Sequence, residues 1–315
     1  QRKVGLIEEM LTATSPIRKT IEGPIVPKHL GKPGLSLIAD PARDGLIIGK
    51  MDHHQPILFI NAISYRGLLE AAAMAHRLDH PEEERHWLKT AADLKSNWQK
   101  AFALPLIDND RTYISALWPS WVAGEQRQTL ADRAERRWQS RRDAIGNYKT
   151  APLWTYFELA EAHQWLFLDH PDRAWSTMQW FWDHQSSPGF YTWWEGEGEE
   201  NSFEKWVHIR GWINPPHVTP HYWTAAEMAL LQIDMLGYLD EGATEPVLVI
   251  GGGIPRSWLP TPMDVRGLRV GDIRLDWHWN GHNMVAVVHG ESRVKVKLGA
   301  SFPETADLRV TYQNT

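Results

Sequence analysis

Leu78-Asp79-His80-Pro81 and Leu168-Asp169-His170-Pro171 are the same four residues met twice, and what flanks them decides the fold class. Ahead of the first copy, from Pro56 onward, Tyr65, Leu68, Leu69, Ala72, Ala75 and Leu78 recur at steps of three and four, the spacing that lines one face of a helix. After it, Trp87, Ala91, Leu94 and Trp98 repeat that spacing. The opening Pro81-Glu82-Glu83-Glu84 suits a helix start, where proline forfeits no hydrogen bond and carboxylates meet the positive end of the helix dipole. The second copy is flanked in the same way, by Leu153, Phe157, Ala160 and Trp165 before it and by Trp175, Met178 and Trp182 after it. A helix, a tight turn and a returning helix form an antiparallel hairpin, so two structurally equivalent hairpins are expected.

Outward from these hairpins, the charged stretch Glu125 to Arg142 supplies a further helix, and Thr224 to Leu239 another through Met228, Leu231, Met235 and Leu239, for about six in all. Residues 1–50 read as a loop-rich segment: a short apolar helical patch from Val4 to Leu11, a Pro/Gly-rich stretch, and a loop at Asp40-Pro41-Ala42-Arg43-Asp44-Gly45. After Glu245 the period changes. Val247-Leu248-Val249-Ile250 reads as a buried strand, Ile273, Leu275, Trp277 and Trp279 alternate with polar residues, Asn280-Gly281 marks a hairpin, and Val294, Val296 and Leu298 alternate around two lysines. Gly251-Gly252-Gly253 precedes Ile254-Pro255 rather than a helix, so it reads as a turn and not as a phosphate loop. The expected organisation is a loop-rich segment (1–50), a helical portion with functional loops (51–245) and a small antiparallel β domain (246–315).

The 315 residues carry a net charge of -6 and no block of Lys or Arg, which argues against a nucleic-acid partner. No apolar run is read as reaching the length of a membrane span, so no membrane partner is expected. Cysteine is absent, which excludes disulfides, thiolate metal sites and a cysteine nucleophile. The chain begins with Gln1, and we read it as a piece of a longer protein, with an extracellular or periplasmic location as the expectation. Tryptophan stands out, at 18 against 8 Phe and 8 Tyr. Many of these fill cores, but an indole also offers a flat face and an N–H donor, which suits the apolar face and hydroxyl edges of a sugar.

The densest chemistry lies in Tyr191-Thr192-Trp193-Trp194-Glu195-Gly196-Glu197-Gly198-Glu199-Glu200-Asn201, between helices, where loops carry function. Trp193 and Trp194 beside Glu195 offer stacking surfaces next to a carboxylate, the combination a glycosidase needs; an exposed acidic loop is the plainer alternative. A rigid stretch rich in Pro and His follows, from Trp206 through His217 to Pro220-His221-Tyr222-Trp223. It delivers the chain into a helix on which Trp223 and Glu227 are one turn apart; Glu227 is a candidate acid, or a glutamate favoured by the helix dipole. His217 and His221 each follow a proline, which argues against one shared helical face, so no metal and no cofactor are expected. Asp44, in the Gly/Pro loop just ahead of Asp52-His53-His54-Gln55, is a third candidate carboxylate, and Trp118 of Trp118-Pro119-Ser120-Trp121 another candidate stacking wall.

These residues resemble a family. Thr192-Trp193-Trp194-Glu195 followed by Pro220-His221-Tyr222-Trp223 is similar to the α-L-rhamnosidase-type pattern of the six-hairpin toroid glycosidases, which also include trehalases and glucoamylases. Phe59-Ile60-Asn61-Ala62 opening a helix after an Asp-bearing loop is similar to the trehalase-type order. The resemblance implies a mainly α fold, an incomplete (α/α)6 toroid holding about half the ring, with a missing region or second chain completing it. It implies hydrolysis of an oligosaccharide or glycoside with inversion, Glu195 as the base, and Asp40 or Asp44 as the acid. Trp193, Trp194, Trp206, His217, His221, Tyr222, Trp223 and Trp118 would contact the sugar. The rivals are a non-catalytic carbohydrate-binding or toroid-completing subunit and a glycoside phosphorylase.

Overall fold

The computed structural model describes residues 2–20, 35–50, 55–104, 114–152, 154–196, 220–242, 245–291 and 293–314. The chain forms two compact units, Gln1–Gln126 with Gly196–His217, and Arg127–Glu195 with Val218–Thr315. Among the described residues there are seven α-helices, and helices give way to strands towards the C-terminus.

In the first unit, α1 (Arg2–Leu11) precedes an antiparallel sheet of β1 (Ile17–Thr20), β2 (Leu35–Arg43) and β3 (Leu46–Gly49). The expected loop at Asp40–Arg43 is therefore strand. Asp44 and Gly45 both adopt left-handed backbone, at φ 55° and 70°, and join Arg43 to its partner Leu46. Asp-Gly is the favoured pair for such a two-residue hairpin turn, and here it pins the register of β2 on β3. Next come α2 (Ile57–Arg77) and α3 (Pro81–Ala103). Asn61 is wholly buried and fully used: its amide accepts from Ile47 N at 2.9 Å and donates to Ile47 O at 2.9 Å and Ile57 O at 2.8 Å, fixing α2 to β3. By length and composition α2 is apolar enough to cross a membrane, with a mean hydropathy of 1.3, which corrects the reading that no run reaches that length. One face of it, through Leu58, Leu68, Ala72 and Ala75, is buried.

The second unit holds α4 (Arg127–Arg141), α5 (Thr155–Phe167), α6 (Pro171–Asp183) and α7 (Tyr222–Leu236). Helix α5 is central: it packs on both α6 and α7 and is buried almost all round. Helix α7 stops at Leu236, three residues short of the expected Leu239, because Gly237–Asp240 pairs as β4 with β5 (Val247–Ile250). Strand β9 (Lys295–Leu298) completes that sheet in parallel with β5. The other sheet runs β10-β8-β7-β6, from β6 (Met263–Val270), β7 (Ile273–Trp279), β8 (Met284–His289) and β10 (Leu308–Gln313), with β10 parallel to β8. Both sheets are thus mixed, not antiparallel as expected. Hairpin signals reveal neighbours joined by short turns, whereas β9 and β10 return after longer connections that carry no such signal. Trp277 and Trp279 serve this core, donating to Leu236 O and Leu259 O. The triple glycine is a turn: a Cβ on Gly253 would lie 2.2 Å from the Met235 side chain, so only glycine fits the approach to α7.

Both Leu-Asp-His-Pro turns close their helices in the same way. Asp79 and Asp169 take left-handed backbone at φ 57° and 62°. Asp79 N and His80 N donate to His76 O and Ala75 O, and Asp169 N and His170 N donate to Leu166 O and Trp165 O. This is the Schellman closure, which satisfies the last carbonyls of the helix, and the proline that follows opens the next helix.

Candidate functional site

In the second unit, residues 184–195 leave α6 and fold back on themselves. Ser186 N donates to Thr192 O, and the Gln185 side chain accepts from Tyr191 N at 2.6 Å, holding Tyr191 in left-handed backbone at φ 52°. Phe190 and Tyr191 stand exposed at the tip. The chain then turns inward. Trp193 is 1% exposed and its indole N–H donates to Phe181 O at 2.7 Å, so this ring anchors the loop on α6.

Main-chain atoms of Trp193 and the next two residues meet the N-terminal ends of α5 and α7. Trp193 O accepts from His221 N at 2.9 Å, Trp194 O accepts from the Thr155 hydroxyl, and Glu195 O accepts from Thr155 N at 3.3 Å. Thr155 Oγ1 also lies 2.7 Å from Thr224 Oγ1, which lies 2.7 Å from His221 Nδ1. These contacts fix the direction of every proton. A carbonyl only accepts, so Thr155 donates to Trp194 O; Thr224 must then donate to Thr155, and His221 Nδ1–H to Thr224. The chain leaves Nε2 as the acceptor nitrogen of His221. Burial holds the pKa of this imidazole below its ordinary value, which favours the neutral form and keeps that nitrogen unprotonated.

Beside this relay, Tyr156 of α5 meets Trp223 of α7 edge-on at 5.7 Å. Two turns further along α5 lies His163, wholly buried, with Nδ1 2.7 Å from Glu227 Oε1 and Nε2 2.8 Å from Asp234 Oδ2. Burial lowers the pKa of His163, but hydrogen bonds to Asp234 and Glu227, with their charges, outweigh it and leave the net shift upward. Burial, seconded by the charge of Glu227, raises the pKa of the Tyr156 phenol. On another side of α5, Glu158 and Glu161 pair with Arg137 and Arg141 of α4, and Tyr148 donates to Glu158 at 2.7 Å. This second buried cluster ties α4 to α5. Among the described residues, no group of three or more His, Asp and Glu is arranged to hold a metal ion.

Of the sequence-derived site residues, Trp193, Trp194, Glu195, His221, Trp223 and Glu227 all lie on or beside this one assembly. Their surroundings differ. Glu195 and Trp194 are half-buried, and the indole nitrogen of Trp194 is buried without a hydrogen-bond partner among the described residues. Tyr222 and Trp223 are 76% and 60% exposed. Glu227 is only 2% exposed and is engaged by His163. Asp44 and Trp118 belong to the first unit, Asp44 in its hairpin turn and Trp118 half-buried in the turns at 114–120. Trp206, His217, Leu153 and the segments 52–54 and 197–201 lie outside the described residues.

The residues that sequence reading overlooked are Thr155, Tyr156, His163 and Asp234. Asp234 follows Glu227 by seven places, two helical turns on the same face, and that spacing was the available signal. Nothing comparable marks Thr155 or His163, whose partners are 64 to 71 positions away for the histidine and 69 for the threonine hydroxyl.

No protein-family model matches the chain, and no curated protein matches it by sequence. Three chains among solved structures do match. One is a GH78 family rhamnosidase of Bacillus sp. GL1, with a TM-score of 0.49 and 14% identity over 86% of this chain, and the chain spans 29% of the length of that protein.

Proposed function

We propose that the chain is a glycoside hydrolase or part of one, with Glu195 as the general base that activates water against a glycosidic bond. The observation that carries this reading is the one-way hydrogen-bond chain from His221 through Thr224 and Thr155 to the carbonyl of Trp194. It fixes the backbone that bears Glu195 and presents an acceptor nitrogen on the same assembly, the rigidity that catalytic geometry requires. Trp223 supplies an exposed aromatic surface suited to a sugar. The similarity of Thr192-Trp193-Trp194-Glu195 and Pro220-His221-Tyr222-Trp223 to the rhamnosidase-type pattern supports the same assignment and leans towards inversion.

In such a step Glu195 takes a proton from water, the water oxygen bonds to the anomeric carbon, and the leaving oxygen departs with a proton from an acid. We assign that acid to a carboxyl other than Glu227, whose side chain is enclosed and engaged by His163. Asp44 has a turn-forming role that accounts for its presence without catalysis. A Glu195→Gln variant assayed on a panel of aryl glycosides is expected to lose at least about a hundredfold in kcat, since base catalysis contributes roughly that much. An unchanged rate refutes the assignment.

The enclosure of Glu227 favours a second reading, a saccharide-binding unit without catalysis. That reading predicts that the wild-type chain binds sugars while hydrolysing none of the panel.

A further inference from the structure

We infer that the second unit carries a separate saccharide-binding groove between the end of α6, the loop tip and the outer face of α7. The inference rests on the proposed function for its class of ligand and adds a site to it. The groove encloses about 420 Å3, within the size range of small-molecule sites. Trp182 and Tyr191 form its aromatic wall, buried Trp193 backs it, and Ala225, Ala229 and Gln232 line the α7 side.

Three features shape this space. Ala225, Ala229 and Gln232 follow at steps of four and three along α7, so they share one stripe, and the two alanines leave the room that larger side chains would fill. Tyr191 is held upright although 60% exposed: its backbone sits at φ 52°, fastened by Gln185 Oε1, which is placed in turn by its own amide bond to Trp182 O at 2.9 Å. Gln232 donates its amide N–H to Met228 O at 2.9 Å, which turns its carbonyl oxygen into the available group.

The chemistry follows. Among the described residues, none of the side chains lining the groove is charged, so they offer nothing to recognise a phosphate, a carboxylate or an ammonium group. It offers aromatic surface, a phenol and an amide oxygen, which match a neutral ligand with one apolar face and a rim of hydroxyls. A pyranose ring is such a ligand. On α7, Glu227 faces His163 of α5 instead, so the groove lies apart from that buried pair.

The test titrates the full chain with methyl pyranosides of glucose, galactose, mannose and rhamnose, followed by tryptophan fluorescence and saturation-transfer NMR. At least one is expected to bind, with binding weakened about tenfold by Tyr191→Ala and by Gln232→Ala, and retained in Glu195→Gln. Tyr191 and Gln232 are exposed, so both variants are expected to fold. Failure of all four sugars to bind, or binding unaltered in Tyr191→Ala, overturns the inference. Hydrolysis unaltered in Glu195→Gln, with sugar binding still lost in Tyr191→Ala, refutes the assigned base and leaves the groove standing.

Discussion

Two helical hairpins end in the same four residues and close with the same hydrogen bonds, yet they hold different interiors. Counting from the turn, the position of His163 in α5 corresponds to Ala73 in α2, which is exposed, and that of Glu158 corresponds to Leu68, which is wholly buried. The first hairpin buries an apolar stripe with a single bridging amide, Asn61. The second buries a histidine between two carboxylates on one side and two glutamates against arginines on another. Turn chemistry is local and repeats wherever the four residues recur. What a helix carries on its other faces is set by what packs against it, and α5 is surrounded.

The comparison breaks most readily at His163. Replacing it with leucine leaves buried Glu227 and half-buried Asp234 without their cation, and the expected loss is about 3–5 kcal/mol in denaturant unfolding, whereas Ala73→Leu should stay within about 0.5 kcal/mol. Equal losses would mean that the two hairpins are energetically alike. The His163 contribution should also depend on pH. Its folded pKa is raised, so the stabilisation is fully present below the unfolded value of about 6.5 and is lost as pH rises through the folded value. The difference in unfolding free energy between wild type and His163→Gln is therefore expected to shrink on going from pH 6 to pH 10; a constant difference contradicts the charged imidazole.

Smaller effects sharpen the contrast. Asn61→Ala should cost about 2 kcal/mol, because Ile47 then loses both bonds to the amide. Thr155→Val should cost about 1–2 kcal/mol and interrupt the relay to Trp194, so activity on aryl glycosides should fall together with stability. Parallel losses in hydrolysis from Asn61→Ala and Thr155→Val, measured at matched folded fraction, would detach the relay from the site. The smallest expected effect is the most symmetric. Asp79→Gly and Asp169→Gly both relieve a left-handed non-glycine residue, and each should shift the unfolding free energy by less than about 1 kcal/mol in the same direction. Opposite signs would show that the turns are equivalent only in outline.

Much of the helical pattern was legible. The hairpins, the helix over 127–141 and the strands at 247–250 and 273–279 follow from periodicity and turn residues, because a face that must be buried repeats at the pitch of its own element. The N-terminal strands depart from the expected loop, although Asp44-Gly45 within it is the strongest short hairpin signal. The end of α7 was overrun since Leu239 kept the helical spacing after Gly237 had already turned into strand. The candidate site was legible as a neighbourhood, in the order Trp-Trp-Glu and His-Tyr-Trp, but not as a mechanism.

The sequence by itself determined where the helices of the two hairpins stop and restart, since a left-handed Asp and a following proline act on the three or four residues around them. Only the tertiary structure decided that His221, Thr224 and Thr155 form one directional chain, that Glu227 is engaged by His163, and that β9 and β10 enter their sheets in parallel. The reason is range. Capping and periodicity are settled between near neighbours, whereas a buried hydroxyl or imidazole takes its proton direction and charge from groups dozens of positions away, which meet it only when the helices pack.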